Sequence, residues 1–246
     1  MIPINQESNE EILRSILEEK LEYLTKDVII LMDADRTLCN IDTSRILTDM
    51  AKIDFSKIKK GFQKHGYTYN GFQNMALTYS QLSVEEYLKY SEETASQVNL
   101  YPGVINCINN ARDFADIIIV TSGVKCIWDF VLKKTDINEV FLIGGTHTKI
   151  DNYIIGREEK GIITDFFNDI GKVTIAFGDS DVDSLMLKNA NHAIIVLNHR
   201  NNADLLPHLF YHPSLFQITY KDYFHENIRK IKYHSFCYDL KRHNVL

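Results

Sequence analysis

The sequence has no excess of positive charge. Its 27 lysines and arginines stand against 33 aspartates and glutamates, for a formal charge of −6. That leaves no basic field to hold a nucleic-acid backbone, so a nucleic-acid polymer is not an expected partner. Cysteines are few. Cys39, Cys107, Cys126 and Cys237 lie far apart without paired metal-ligand spacing, which suits a reducing compartment better than a disulfide framework. No apolar run approaches the roughly 20 residues needed to span a bilayer. The start, MIPINQESNEE, lacks the basic stretch followed by an apolar one that marks a secretory signal. The expectation is therefore a cytoplasmic chain with no membrane partner. Internal repeats and low-complexity segments are missing too. What is there is a globular composition: 246 residues, 45% of them hydrophobic, enough for one large domain or a domain with a smaller insertion.

Ser8 and Glu11 form a capping-box pattern, and Ile12, Leu13, Ile16, Leu17, Leu21 and Leu24 follow at helical spacing. An amphipathic helix is expected to open the chain. The short apolar run DVIILMD, residues 27 to 33, suits a strand buried on both faces of a parallel sheet. Comparable runs occur at 116 to 121 (DIIIVT), 139 to 144 (EVFLIG), 172 to 179 (KVTIAFGD) and 192 to 197 (HAIIVL). Helical patterns lie between them at 104 to 114, 124 to 133 and 184 to 190. This β-α-β rhythm predicts an α/β, doubly wound parallel sheet with its ligand at the strand C-termini. From about Asn40 to Leu100 the rhythm stops. That stretch is polar and helix-like and closes at the turn signal Tyr101-Pro102-Gly103, so it predicts a small, mostly helical insertion. The expected division is a core of residues 1–40 and 101–207, a helical cap of 41–100, and a C-terminal extension of 208–246 packed on the core.

Reactive residues fall where the strands are expected to end. Asp33 and Asp35 leave the first strand one residue apart, so both carboxylates can reach one point beyond its tip, as a nucleophile beside an acid/base. Gly178-Asp179-Ser180-Asp181-Val182-Asp183 leaves another strand, with two more carboxylates aimed at the same edge. Acidic oxygens gathered in one cleft repel one another unless a hard cation joins them, and Mg²⁺ takes one or two carboxylates plus waters and phosphate oxygens. Thr121-Ser122-Gly123 offers a hydroxyl and N–H groups at a helix start, and Lys160 offers a cation. Singly, each of these has a plainer reading. An Asp-x-Asp pair also occurs in solvated loops and helix caps, an acidic turn also caps a helix, and most lysines are solvated. Asp181 and Arg36 are read as surface residues.

The motifs in this order, DADRT at 33 to 37, Thr121, Lys160 and GDSDVD at 178 to 183, resemble the haloacid dehalogenase-like superfamily. The helical insertion after the first motif, with FLIGGTHTKIDNYIIG and REEKGIITDFF, is most similar to its phosphoserine phosphatase-like branch. The resemblance covers roughly residues 27 to 200. It implies a Mg²⁺-dependent phosphatase acting on a small-molecule phosphomonoester through an aspartyl-phosphate. Asp33 would be the nucleophile and Asp35 the acid/base. Thr121, the backbone of Ser122 and Gly123, and Lys160 would bind phosphate; Ser122 stays an alternative to Thr121 as the leading hydroxyl. Asp33, the carbonyl of Asp35, and Asp179 would hold the metal, with Asp183 behind it or acting through a bound water. A phosphotransferase or mutase using the same intermediate, and a non-catalytic phosphate-binding module, are the other readings.

Asp42 matches the carboxylate that phosphoserine-specific members use on the substrate, but no arginine stands between Arg45 and Arg112 to match its partner. Lys59, Lys60 or Lys64 would supply charge without the planar fork of a guanidinium. Phe62, His65, Tyr67, Tyr69, Phe72, Met75 and Tyr79 are available either to stack on a ring or to form the cap's own core. The aromatic and histidine-rich tail, with Phe210, Tyr211, Tyr220, Tyr223, Tyr233, His234 and Cys237, is expected to pack on the core. A homodimer contact is a further reading. His234 and Cys237 have ligand-like spacing but no second pair.

Overall fold

The computed structural model describes residues 5–197, 205–220 and 224–242. Tyr223 of the tail lies outside them. In chain order the elements are α1 (Gln6–Leu21), β1 (Val28–Met32), α2 (Thr43–Met50), α3 (Phe55–His65), α4 (Tyr69–Tyr79), α5 (Val84–Gln97), α6 (Val104–Ala111), β2 (Ala115–Val120), α7 (Lys125–Lys134) and β3 (Phe141–Ile143). They continue with α8 (Arg157–Asp169), β4 (Val173–Gly178), α9 (Ser184–Asn189), β5 (His192–Leu197), α10 (Leu206–Leu209), β6 (Leu215–Thr219), β7 (Arg229–Lys230) and α11 (Phe236–Arg242).

The strands form one seven-stranded parallel sheet in the order β3-β2-β1-β4-β5-β6-β7. Successive side chains of a strand point to opposite faces, so a strand covered on both sides must be apolar throughout. That is why β1 reads VIILM. Ile30 and Met32 join the apolar cluster on one face, with Ile117, Ile119, Ile175, Phe177 and Trp128. Ile29 and Leu31 join the other, with Leu13, Leu17, Ile118, Phe167 and Leu187. The strand order turns back between β1 and β4, and this is the position at which an open α/β sheet presents a crevice at its carboxyl edge.

α1 is capped one turn earlier than the Ser8–Glu11 pattern predicts. The side chain of Asn5 accepts from Ser8 N at 2.9 Å, which puts Ser8 inside the helix. Asn5 is an equally good N-cap and lies upstream, so the helix gains a turn. The helix turns Asn9 inward against the chain before α8. There Asn9 Oδ1 accepts from Ile154 N at 2.8 Å, and Asn9 Nδ2 donates to Ile154 O at 3.0 Å.

Helices α2 to α5 lie between β1 and α6, and their entry and exit touch. Cys39 and Leu100 form an isolated antiparallel bridge, and Tyr101 N donates to Leu38 O at 2.8 Å. α3 pairs with α4, and α5 lies along α7. Bonds that tie this insertion to the core include Arg157 N to Tyr67 O (3.1 Å), Thr148 N to Ser80 Oγ (2.9 Å), and Tyr87 Oη with Thr146 Oγ1 (2.8 Å).

The tail does more than cover the core. β6 and β7 extend the sheet beyond β5, and Ile231, Tyr233, Phe236 and Leu240 are buried. Tyr233 stacks on Phe177 of β4 at 5.8 Å. None of the four cysteines is paired. No helix among the described residues is long and apolar enough to cross a membrane.

Candidate active site

Asp33 is the first residue past β1. Its N–H donates to Phe177 O at 2.9 Å, continuing the sheet by one step, so its side chain is fixed at the carboxyl edge. Both carboxylate oxygens are held. Lys160 Nζ donates to Oδ1 at 2.6 Å, and Thr37 Oγ1 donates to Oδ2 at 2.9 Å. Burial pushes this carboxyl up, the charge of Asp183 adds to the shift, and Lys160 and Thr37 oppose it, for a pKa of about 6.

Asp35 has a different set of partners. Trp128 Nε1 donates to its Oδ1 at 2.8 Å, and Thr43, the first residue of α2, donates from its backbone N–H to Oδ2 at 2.8 Å and from its hydroxyl to both oxygens. The Thr43 N–H is one of the donors that a helix N-terminus leaves free. Burial raises this carboxyl and the nearby charge of Asp42 raises it further; the Thr43 and Trp128 donors resist, and the result is about 7. Burial thus raises both carboxyls, and each is held by its own set of donors, Lys160 and Thr37 on Asp33, Thr43 and Trp128 on Asp35.

Lys160 lies in the first turn of α8, fully buried, with Nζ 2.6 Å from both Asp33 Oδ1 and Asp183 Oδ1. Burial works against its charge, but Asp183 and Asp33 outweigh this and hold it above the ordinary lysine range. Asp183 spends its other oxygen on the loop, accepting from Asp179 N (3.0 Å), Ser180 N (3.0 Å) and Ser180 Oγ (3.2 Å). It therefore braces Lys160 and shapes the turn. Gly178 allows this: a Cβ there would meet Asp183 Cβ at 2.4 Å.

Asp33, Asp179 and Asp183 each present an oxygen within 4.8 Å of the others. Three buried carboxylates around one ammonium leave net negative charge, and every donor is a hard oxygen. This donor set fits Mg²⁺. Asp33 and Asp179 line the cleft, whereas Asp183 lies behind it on Lys160 and the loop N–H groups, so Asp33 and Asp179 are the two that could reach a cation there.

Thr121 and Ser122 follow β2, both buried. Thr121 Oγ1 accepts from Gly123 N at 3.0 Å and keeps its own proton to donate, whereas Ser122 Oγ is buried without a partner among the described residues. Asp33, Asp35, Thr121, Ser122, Gly123 and Asp179 share one cleft of about 440 Å³ with residues of α3 and α4. Lys160 and Asp183 stand behind it.

Asp42 also borders the cleft, but its carboxylate is engaged. It caps α2 through Arg45 N at 3.1 Å and pairs with Arg36. Arg36, read from the sequence as a surface residue, is half-buried in the lining with φ 62°, a left-handed turn directly after the acid. Asp181 is likewise drawn in, bonded to Arg157 Nη1 at 3.1 Å. Thr37 closes the DADRT motif without a role read from it, and Trp128 and Thr43 lie outside the motifs the sequence offers. Trp128 carried one signal, as the single tryptophan, on the helix that follows Thr121-Ser122-Gly123.

No protein-family model matches the chain, and no curated protein matches its sequence. Solved structures do match. A phosphoserine phosphatase determined as a phospho-aspartyl intermediate analogue aligns at TM-score 0.55 and 20% identity, over 75% of this chain and 91% of that one. A substrate-bound phosphoserine phosphatase aligns at TM-score 0.55 and 18% identity, over 78% and 93%. A HAD family hydrolase from Salmonella enterica subsp. enterica serovar Typhi aligns at TM-score 0.57 and 15% identity, over 95% and 80%. The chain therefore shares its fold with solved phosphoserine phosphatases and a HAD family hydrolase.

Proposed function

We propose that the protein is a Mg²⁺-dependent phosphatase of a small-molecule phosphomonoester, with Asp33 as nucleophile. One observation carries this reading: adjacent carboxylates at a single strand tip have separate partners, Lys160 and Thr37 on Asp33, Trp128 and Thr43 on Asp35. The likeness to phosphoserine phosphatases supports it, one of them determined as a phospho-aspartyl intermediate analogue.

In the first step an Asp33 oxygen attacks phosphorus in line, the bond from phosphorus to the leaving oxygen breaks, and Asp35 gives that oxygen its proton. In the second, Asp35 takes a proton from water, the water oxygen attacks phosphorus, and inorganic phosphate leaves as the bond to Asp33 breaks. Thr121 and Ser122 hydroxyls and the N–H groups of their turn receive the phosphoryl oxygens, while Lys160 keeps Asp33 ionised and oriented. Mg²⁺, held by Asp33, Asp179 and the Asp35 carbonyl, would offset the charge of the phosphate.

The test is hydrolysis of phosphomonoesters by wild type and Asp33→Asn, with Mg²⁺ or with EDTA. Turnover should require the metal and vanish in the variant while the circular dichroism spectrum and melting temperature stay close to wild type. Undiminished turnover by folded Asp33→Asn would sink the mechanism.

A further inference from the structure

The cleft has two chemically different parts. One is the carboxylate and hydroxyl cluster at the sheet edge. The other comes from the inserted helices and is mostly apolar, lined by Phe55, Ile58, Phe62, Tyr67, Phe72 and Met75 beside Ser44, Lys59 and Tyr79. Phe62 and Phe72 meet edge to face at 4.9 Å and 71°, and Phe62 lies 5.3 Å from Tyr67, an arrangement that accepts a further ring edge or face.

Charge is scarce in that second part. Asp42 and Arg36 neutralise each other, and Asp42 is also committed to the N-terminus of α2. Lys59 borders the cleft but is exposed. A zwitterionic leaving group such as serine would have to bring an ammonium and a carboxylate against apolar walls, losing their hydration without full repayment. An uncharged ring loses nothing and gains burial. The volume, about 440 Å³, holds a ring together with a phosphate.

We propose that the phosphomonoester taken here carries a flat, uncharged ring, aromatic or similarly apolar, on its leaving alcohol. This rests on the phosphatase reading and narrows it to a substrate class.

Aryl phosphates are a poor test, because their leaving groups are intrinsically better. The comparison is benzyl phosphate against ethyl phosphate, whose alcohols are similarly acidic, with phosphoserine as the charged competitor and Mg²⁺ present. Benzyl phosphate should exceed both in kcat/KM by about tenfold or more. Phe62→Ala should narrow that ratio. If that variant fails to fold, calorimetric binding of benzylphosphonate against ethylphosphonate to the wild-type protein reads the same preference, again about tenfold. Equal handling of ethyl and benzyl phosphate, or preference for phosphoserine, overturns the substrate class and leaves the phosphatase standing. No turnover of any of the three overturns the phosphatase reading itself.

Discussion

At the scale of residues, Asp33 and Asp35 differ in the donors their neighbours supply. An acid that must be protonated to work, with a pKa raised to about 7, is lost as the pH climbs through that value, so kcat should fall on the alkaline side. The Trp128 N–H favours the ionised form. Trp128→Phe removes that donor, so the falling limb should move to higher pH, and a kcat profile from pH 5 to 9 reads the shift. A limb that stays in place would show that Trp128 does not tune Asp35. Asp35→Asn should lower kcat by about 10² to 10⁴-fold in a folded protein, measured in the steady state. The carboxylates and Lys160 were legible in the sequence because order and strand-end position single them out. Their partners were not. Trp128 lies 93 residues from Asp35, and Thr43 reaches it only because α2 begins there.

Among the elements, α8 matters most, because it carries Lys160 and must present that side chain without freedom. Its first turn is locked by Glu159, buried, which accepts from Gly156 N at 2.9 Å and from Asn9 of α1 at 3.2 Å. Asn9→Ala would strand the Ile154 backbone groups and leave Glu159 short of a donor. A loss of about 1–3 kcal/mol is expected, a fall in melting temperature of roughly 2–4 °C for each of them. A thermal melt within a degree of wild type would refute this bracing role. The long apolar strands were evident in the sequence, since a strand buried on both faces has no polar positions. Element ends were less so: β3 keeps only Phe141–Ile143 of the apolar run around it, and α1 starts from Asn5 because two residues compete as caps.

Over the whole molecule, the tail is the part least visible beforehand. β7 is two basic residues, Arg229 and Lys230, with no hydrophobic alternation to betray a strand, and β6 is recognised only once β5 is there to pair with it. Yet Tyr233 Oη donates to Thr37 O at 2.8 Å, and Thr37 in turn holds Asp33. A chain cut before β6 would bare the edge of β5 and strip the ring stacked on Phe177. It should fail to give a cooperative melt or a monodisperse peak on gel filtration; a truncated chain that melts like the full one would show that the tail is dispensable. The bridge between Cys39 and Leu100 bears on the protein's history. Because the excursion leaves and rejoins the sheet at a single point, and only its first residues, Thr43 among them, hold Asp35, mutations farther along it can remodel the wall of the cleft while the carboxylates at the sheet edge keep their partners. On the proposed reading, chemistry and selectivity can drift at different rates within one chain.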